Sequence, residues 1–141
     1  MTIVFTTYLP EEGFASLSDH RLLMPSALQQ QFDHDTLTPL LAEADILVAT
    51  FDYAVSASML MKAPHLKMIA NFGSGYNNLP LDYCRAHGII VTNTPQPVIE
   101  PTAEHAWALL CTLAHRIAEL DRRLRMPGYD GIRFGVMQNL G

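Results

Sequence analysis

Short apolar runs alternate along the chain with stretches whose apolar residues recur at helical spacing. Ile3 to Thr7 (IVFTT), Arg21 to Met24 (RLLM), Ile46 to Thr50 (ILVAT), Leu66 to Ala70 (LKMIA) and Ile89 to Thr92 (IIVT) are of strand length and continuous in apolar character. That is the pattern of strands covered on both faces. Between them, Glu11 to Leu17, Thr36 to Ala44, Ser56 to Lys62 and Leu81 to His87 read as helices, and Ser26 to Asp33 as a loop. Asp35 and Ser56 stand as candidate N-caps, and Gly88 sits where a helix end favours a residue tolerant of the left-handed conformation. Five strands with crossovers of this length predict an α/β fold with a parallel, doubly wound sheet. Parallel neighbours need such crossovers, and their hand is nearly fixed.

The pattern changes after Thr92. Thr94 to Pro101 contains Pro95, Pro97 and Pro101 and reads as a stiff extended connector. Thr102 to Arg125 is then the longest predicted helix, about 36 Å at its rise per residue. It carries one apolar stripe through Leu109, Leu110, Leu113 and Ile117 and a second through Trp107, Cys111, Ala114 and Ala118, so it calls for two packing partners. The tail, Met126 to Gly141, holds four of the eight glycines and no sustained period, and is expected to close no core. It reads as an interrupted chain.

With 49% hydrophobic and 16% charged residues over 141 positions, the composition is that of a folded domain and not of a disordered segment. A net charge of -5 argues against nucleic acid or an anionic membrane as partner. The one basic cluster, Arg116, Arg122, Arg123 and Arg125, suits the C-terminal turns of a helix. No apolar run approaches the roughly 20 residues that span a bilayer, and the N-terminus lacks the features of a signal peptide. A cytoplasmic setting is the expectation. Cys84 and Cys111 are too isolated for a disulfide framework, and the six histidines form no HxxxH or HxH pair, so no metal site is expected.

The candidate chemistry lies in Gly73-Ser74-Gly75, which follows a strand and precedes a helix. An α/β sheet presents its ligands there, outside the carboxyl ends of its strands. Successive backbone amides in such a turn form an anion-binding nest suited to a carboxylate or phosphate. A bare GxG is equally the mark of a plain turn. The dinucleotide fingerprint fails on spacing, because its third glycine is replaced by Asn78. No P-loop and no GxSxG elbow occurs.

Three blocks in series are similar to one family, the D-isomer-specific 2-hydroxyacid dehydrogenases: NFGSGYNNLPLDYCRAHGIIVTNTP (Asn71 to Pro95), PTAEHAWALL (Pro101 to Leu110), and an arginine-containing continuation of that helix. The resemblance implies a two-domain oxidoreductase using NAD or NADP. Its active site lies between a flavodoxin-like substrate domain, here residues 1–97, and a Rossmann coenzyme domain, of which residues 98–141 would be the start. It implies that the glycine loop, Gly73 with the amides of Ser74 and Gly75, holds the substrate carboxylate, with Thr50 and Phe51 beside it. Thr102 would lie near the nicotinamide, and Glu104 in the first turn of the long helix; a structural cap is the alternative for both. Asn77 stands where the family usually has aspartate. The family's catalytic arginine, acid and histidine lie beyond the position matching Gly141, so no catalytic residue is expected in this chain. The chain alone is expected to be a truncated, inactive fragment that holds no coenzyme.

Where relatives acting on phosphorylated substrates tend to carry arginine near RSAT, this chain reads Thr50-Phe51-Asp52-Tyr53. A small unphosphorylated 2-oxoacid such as glyoxylate, hydroxypyruvate or pyruvate is the expected substrate. The resemblance also implies a homodimer through the Thr102 to Arg125 helix. The competing reading is a non-catalytic flavodoxin-like module that binds a small anion or dimerises. Thr6-Thr7-Tyr8 lacks the acidic cluster of a receiver domain, and Tyr8-Leu9-Pro10-Glu11 is unsuited to a flavin phosphate.

Overall fold

Five strands form one wholly parallel sheet in a computed structural model that describes residues 1–28, 30–129 and 131. They are β1 (Thr2–Phe5), β2 (Arg21–Leu23), β3 (Ile46–Thr50), β4 (Met68–Phe72) and β5 (Ile90–Thr92), in the order β2-β1-β3-β4-β5. That order is the flavodoxin-like one, and it confirms the α/β expectation. β4 runs two residues later than its hydropathy indicates, pairing Asn71 with Ala49 and Phe72 with Thr50. The polar Asn71 is tolerated inside a strand because its side chain finds partners there.

Three helices cover one face: α1 (His34–Leu41), α2 (Ala57–Leu60) and α3 (Leu81–Ala86). Leu37, Leu41, Met59, Leu60 and Cys84 bury against Val4, Leu47, Ala49 and Ile69, each large side chain contributing about 1.5–3 kcal/mol. α1 is capped by Asp33 and not by Asp35: the Asp33 carboxylate accepts the Thr36 amide at 2.8 Å, and the Thr36 hydroxyl first, with that amide after it, holds its pKa below the usual value. α2 starts as expected, Ser56 Oγ accepting the Met59 amide at 3.3 Å. Gly88 adopts φ +69° after α3.

The second face departs from the expectation of full cover. Glu11–Leu17 forms a 3-10 helix, broken at Phe14, whose ring meets Phe5 edge-on at 5.0 Å. Beyond it Ile46, Val48, Met68 and Ala70 line an open apolar groove of about 470 Å³. Among the described residues no helix of this unit seals it, and Ile90 is 62% exposed.

The chain divides into two units, Met1–Pro95 and Gln96–Gly141. In the second, α4 (Gln96–Ala114) begins inside the stretch that three prolines marked as an extended connector. Proline suits the first helical turn, where its missing N–H has no intrahelical partner, so Pro97 costs little; only Pro101 removes an internal bond. Thr102 and Glu104 therefore stand within the helix, and its first turn holds no acidic residue. Nor is Thr102 to Arg125 one helix. Arg116 takes the left-handed conformation (φ 54°) between α4 and α5 (Ile117–Leu124), its guanidinium bonded to Glu119 at 2.6 and 2.8 Å. No residue of α4 or α5 is buried. The glycine-rich tail lies mostly outside the described residues.

Candidate functional site

The pairing of Thr50 with Phe72 brings the ends of β3 and β4 side by side, so the loops after them leave the same carboxyl edge of the sheet. Thr50, Phe51, Gly73, Ser74, Gly75 and Asn77 are gathered there. Phe51 donates its amide to Phe72 O at 3.2 Å. A Cβ on Gly73 would lie 2.7 Å from Cβ of Phe51, so glycine is required for this close approach; at Gly75 a Cβ would meet nothing. Neither glycine has a positive φ. Close packing, and not backbone freedom, is what the loop asks of Gly73.

The loop is one-sided in its hydrogen bonding. Its carbonyls face protein donors: Gly73 O accepts from the Thr94 amide at 2.9 Å, Ser74 O from Asn93 Nδ2 at 2.8 Å, Gly75 O from Asn71 Nδ2 at 2.8 Å, and Tyr76 O from the Leu79 amide at 3.1 Å. The Gly73 amide is also engaged, donating to Thr94 Oγ1 at 3.1 Å and to Asn71 O at 3.0 Å. The amides of Ser74, Gly75, Tyr76 and Asn77 donate to no acceptor among the described residues, and all four residues are exposed. Four successive amides without a protein acceptor, behind carbonyls that are all engaged, are open to solvent or to an anion.

The flanking groups shape what anion fits. Thr50 is buried, its hydroxyl 2.9 Å from that of Thr7. Phe51 is 68% exposed beside the loop, while Asp52 is held by Gln31 Nε2 at 2.8 Å. Tyr53 has its phenol pushed up by burial and then by the charge of Asp33, so it stays neutral. No lysine or arginine occurs in residues 50–54, 71–78 or 93–94, so the donors that these segments offer an anion are backbone amides and uncharged side chains. The side chain of Asn77 makes no hydrogen bond among the described residues. Thr102 is exposed on α4, in the second unit.

Three of the histidines are placed at the other edge of the sheet. His20, His65 and His87 precede β2, β4 and β5 and so lie toward the amino edge of a parallel sheet, opposite to the glycine loop. His34 opens α1, and His105 and His115 belong to the second unit. Among the described residues no group of three or more His, Cys, Asp or Glu is placed to hold a metal. The residues present also do not fit a dinucleotide pyrophosphate. The third glycine of the fingerprint is Asn78, whose side chain is tied to Thr50 O and Tyr53 O, and α3 starts only at Leu81 with no side-chain cap.

Asn71, Asn78, Asn93 and Thr94 were missed as contributors by sequence reasoning. The available signal was polar residues in apolar company: an asparagine inside the strand MIANF and an Asn-Thr pair directly after β5.

The family described as D-isomer specific 2-hydroxyacid dehydrogenase, catalytic domain, matches residues 3–129. A putative 2-hydroxyacid dehydrogenase of Staphylococcus saprophyticus is 39% identical over 99 residues, covering 70% of this chain and 31% of the relative. A glyoxylate reductase of Thermococcus onnurineus is 29% identical over 123 residues, covering 87% of this chain and 37% of the relative. Among solved structures, a protein of Thermus thermophilus shares the fold with a TM-score of 0.81 and 25% identity, over 99% of this chain and 45% of the other. D-lactate dehydrogenase from Aquifex aeolicus, complexed with NAD and lactic acid, gives 0.74 and 25%, over 97% and 40%. The chain thus spans less than half the length of each of these proteins.

Proposed function

The chain belongs to the D-isomer specific 2-hydroxyacid dehydrogenase family, catalytic domain, and on that premise we propose that its glycine loop seats the carboxylate of a small 2-hydroxyacid or 2-oxoacid. The reaction is hydride transfer between nicotinamide and the carbon that bears the hydroxyl. The observation that carries this reading is the polarity of residues 73–77: four carbonyls satisfied by protein donors, four amides left for an anion.

Carboxylate oxygens accept from the Ser74 and Gly75 amides, and the exposed Phe51 forms an apolar wall beside them. Thr50, the residue before Phe51, is held by its bond with Thr7. A phosphorylated substrate is disfavoured, since a phosphate dianion calls for cationic partners and the nearby charge is Asp52. The names of relatives, a glyoxylate reductase and a lactate dehydrogenase, agree with a small unphosphorylated acid. When bound, NAD or NADP supplies or accepts the hydride; this chain's residues bind and orient the acid.

Polarisation of the carbonyl and proton transfer are assigned to groups outside this sequence; His20, His65 and His87 lie toward the amino edge of the sheet, opposite to the loop. Residues 1–97 serve as the substrate domain in this reading, and 98–141 begin the coenzyme domain, with Thr102 toward the nicotinamide and Asn77 at the rim of the cradle. The helical region Thr102 to Arg125 pairs with a second copy, and the setting is cytoplasmic.

The test is a titration of the 141-residue chain with oxalate, a planar mimic of a 2-oxoacid, followed by amide resonances, together with an assay for glyoxylate reduction by NADH. Displacement of the Ser74 and Gly75 signals without turnover is expected. Unmoved signals, or reduction of glyoxylate by this chain, would defeat the reading.

A further inference from the structure

The glycine loop belongs to no helix or strand, yet the four carbonyls from Gly73 to Tyr76 are each held by a protein donor. Asn71, in β4, is 2% exposed and donates Nδ2 to Gly75 O at 2.8 Å. Asn78 faces Asn71 amide to amide, donating Nδ2 to Asn71 Oδ1 at 3.0 Å and accepting from Asn71 Nδ2 at 3.3 Å. The same Nδ2 reaches Thr50 O at 3.0 Å and Tyr53 O at 3.1 Å, and the Asn78 carbonyl accepts the Val55 amide at 2.9 Å. The glycine loop and the loop after β3 are thereby tied together. Asn93, just after β5, donates Nδ2 to Ser74 O at 2.8 Å.

A peptide unit is a rigid trans plane, with its C=O and the following N–H pointing in opposite directions. Holding the Ser74 carbonyl toward Asn93 therefore aims the Gly75 amide the other way, and holding the Gly75 carbonyl toward Asn71 aims that of Tyr76. The Gly73 carbonyl, fixed by the Thr94 amide, does the same for Ser74. Asparagine suits the task because its side chain both donates and accepts, so Asn71 and Asn78 satisfy each other while each still holds backbone.

We infer that Asn71, Asn78 and Asn93 are positioning residues that set the direction of the Gly75 and Tyr76 amides, beside a Ser74 amide set by the Thr94 backbone, so that the anion cradle is built before an anion arrives. This rests on the carboxylate reading above. Preorganised donors escape the ordering cost that a mobile loop incurs on binding, which is where the asparagines affect affinity.

The experiment compares oxalate affinity and loop mobility in the ¹⁵N-labelled 141-residue chain and in Asn78→Ala, Asn93→Ala and Leu41→Ala. Leu41 is a fully buried core residue of α1, and its truncation supplies a loss of melting temperature without touching the loop hydrogen bonds. Asn93→Ala removes a bond near the surface, so it keeps the question answerable if Asn78→Ala does not fold.

For the asparagine variants, oxalate is expected to bind about tenfold more weakly. Their backbone order parameters over residues 74–76 should fall below about 0.6 without ligand. Leu41→Ala should melt earlier yet keep its affinity within about twofold. Unchanged affinity in the folded asparagine variants would overturn the inference, and so would an equal loss in Leu41→Ala, which would make the effect one of general stability. If the unaltered chain does not bind oxalate, the carboxylate reading itself fails and takes this inference with it; binding with no effect of the asparagines overturns the inference alone.

Discussion

At Gly73 a methyl group would press on Cβ of Phe51 at 2.7 Å, and Phe51 cannot withdraw freely because its amide is bonded to Phe72 O. At Gly75 the same methyl group would stand in open space. Gly73→Ala is therefore expected to cost about 1–3 kcal/mol of stability through overpacking, and Gly75→Ala no more than about 0.5 kcal/mol, both read from urea unfolding midpoints. Equal effects would mean that the approach of Phe51 does not constrain the loop. The motif shows two equivalent glycines; only the approach of Phe51, just past β3, distinguishes them. Asn77 and Asn78 make the same point from the polar side. The first is exposed without a side-chain partner among the described residues, while the second ties two loops together, and nothing in the dipeptide says which will do so.

Among the elements, the amino edge of the sheet has its own fastening. Asp45, directly before β3, accepts the Thr2 amide at 2.9 Å and Lys67 Nζ at 3.0 Å, while its own backbone bonds to Thr2 O and the Lys67 amide, each at 2.9 Å. The Thr2 amide first, and Lys67 after it, hold the Asp45 carboxyl below its ordinary value of 3.8. The unfolded chain then binds protons more readily than the folded one. The resulting stabilisation is present above 3.8 and is lost as the pH falls through the folded value. Asp45→Asn should flatten the acid limb of a stability-against-pH curve without abolishing it, since Asp33 is shifted in the same direction at the start of α1. An unaltered acid limb in urea midpoints would show that the Asp45 carboxylate is not fastening the strands. Strand existence was legible because continuous apolar runs report burial directly. Helix bounds in the second unit were not. Proline is read as a stop, yet it fits the first turn at Pro97, and Arg116 interrupts the long helix with no glycine or proline to announce it.

On the scale of the whole molecule the two units carry different kinds of surface. In the first, an apolar groove runs along Ile46, Val48, Met68 and Ala70. In the second, Trp107, Leu109, Leu110 and Leu113 are more than half exposed on α4, an apolar area of the kind that marks association. The dimer proposed through this region predicts self-association in sedimentation equilibrium and its loss in Leu110→Glu. A strict monomer at high protein concentration would rule that dimer out. What the order of residues determined by itself was the alternation of strand and helix, the parallel sheet, the family and the place of the glycine loop, because hydrophobic period and motif spacing are local properties of a chain. Which amides stay free, which asparagines aim them and why Gly73 must lack a side chain were decided by tertiary structure. Those facts depend on donors from β4, from the segment after β5 and from the loop after β3 meeting at one edge of the sheet, and no local pattern encodes a meeting between distant segments.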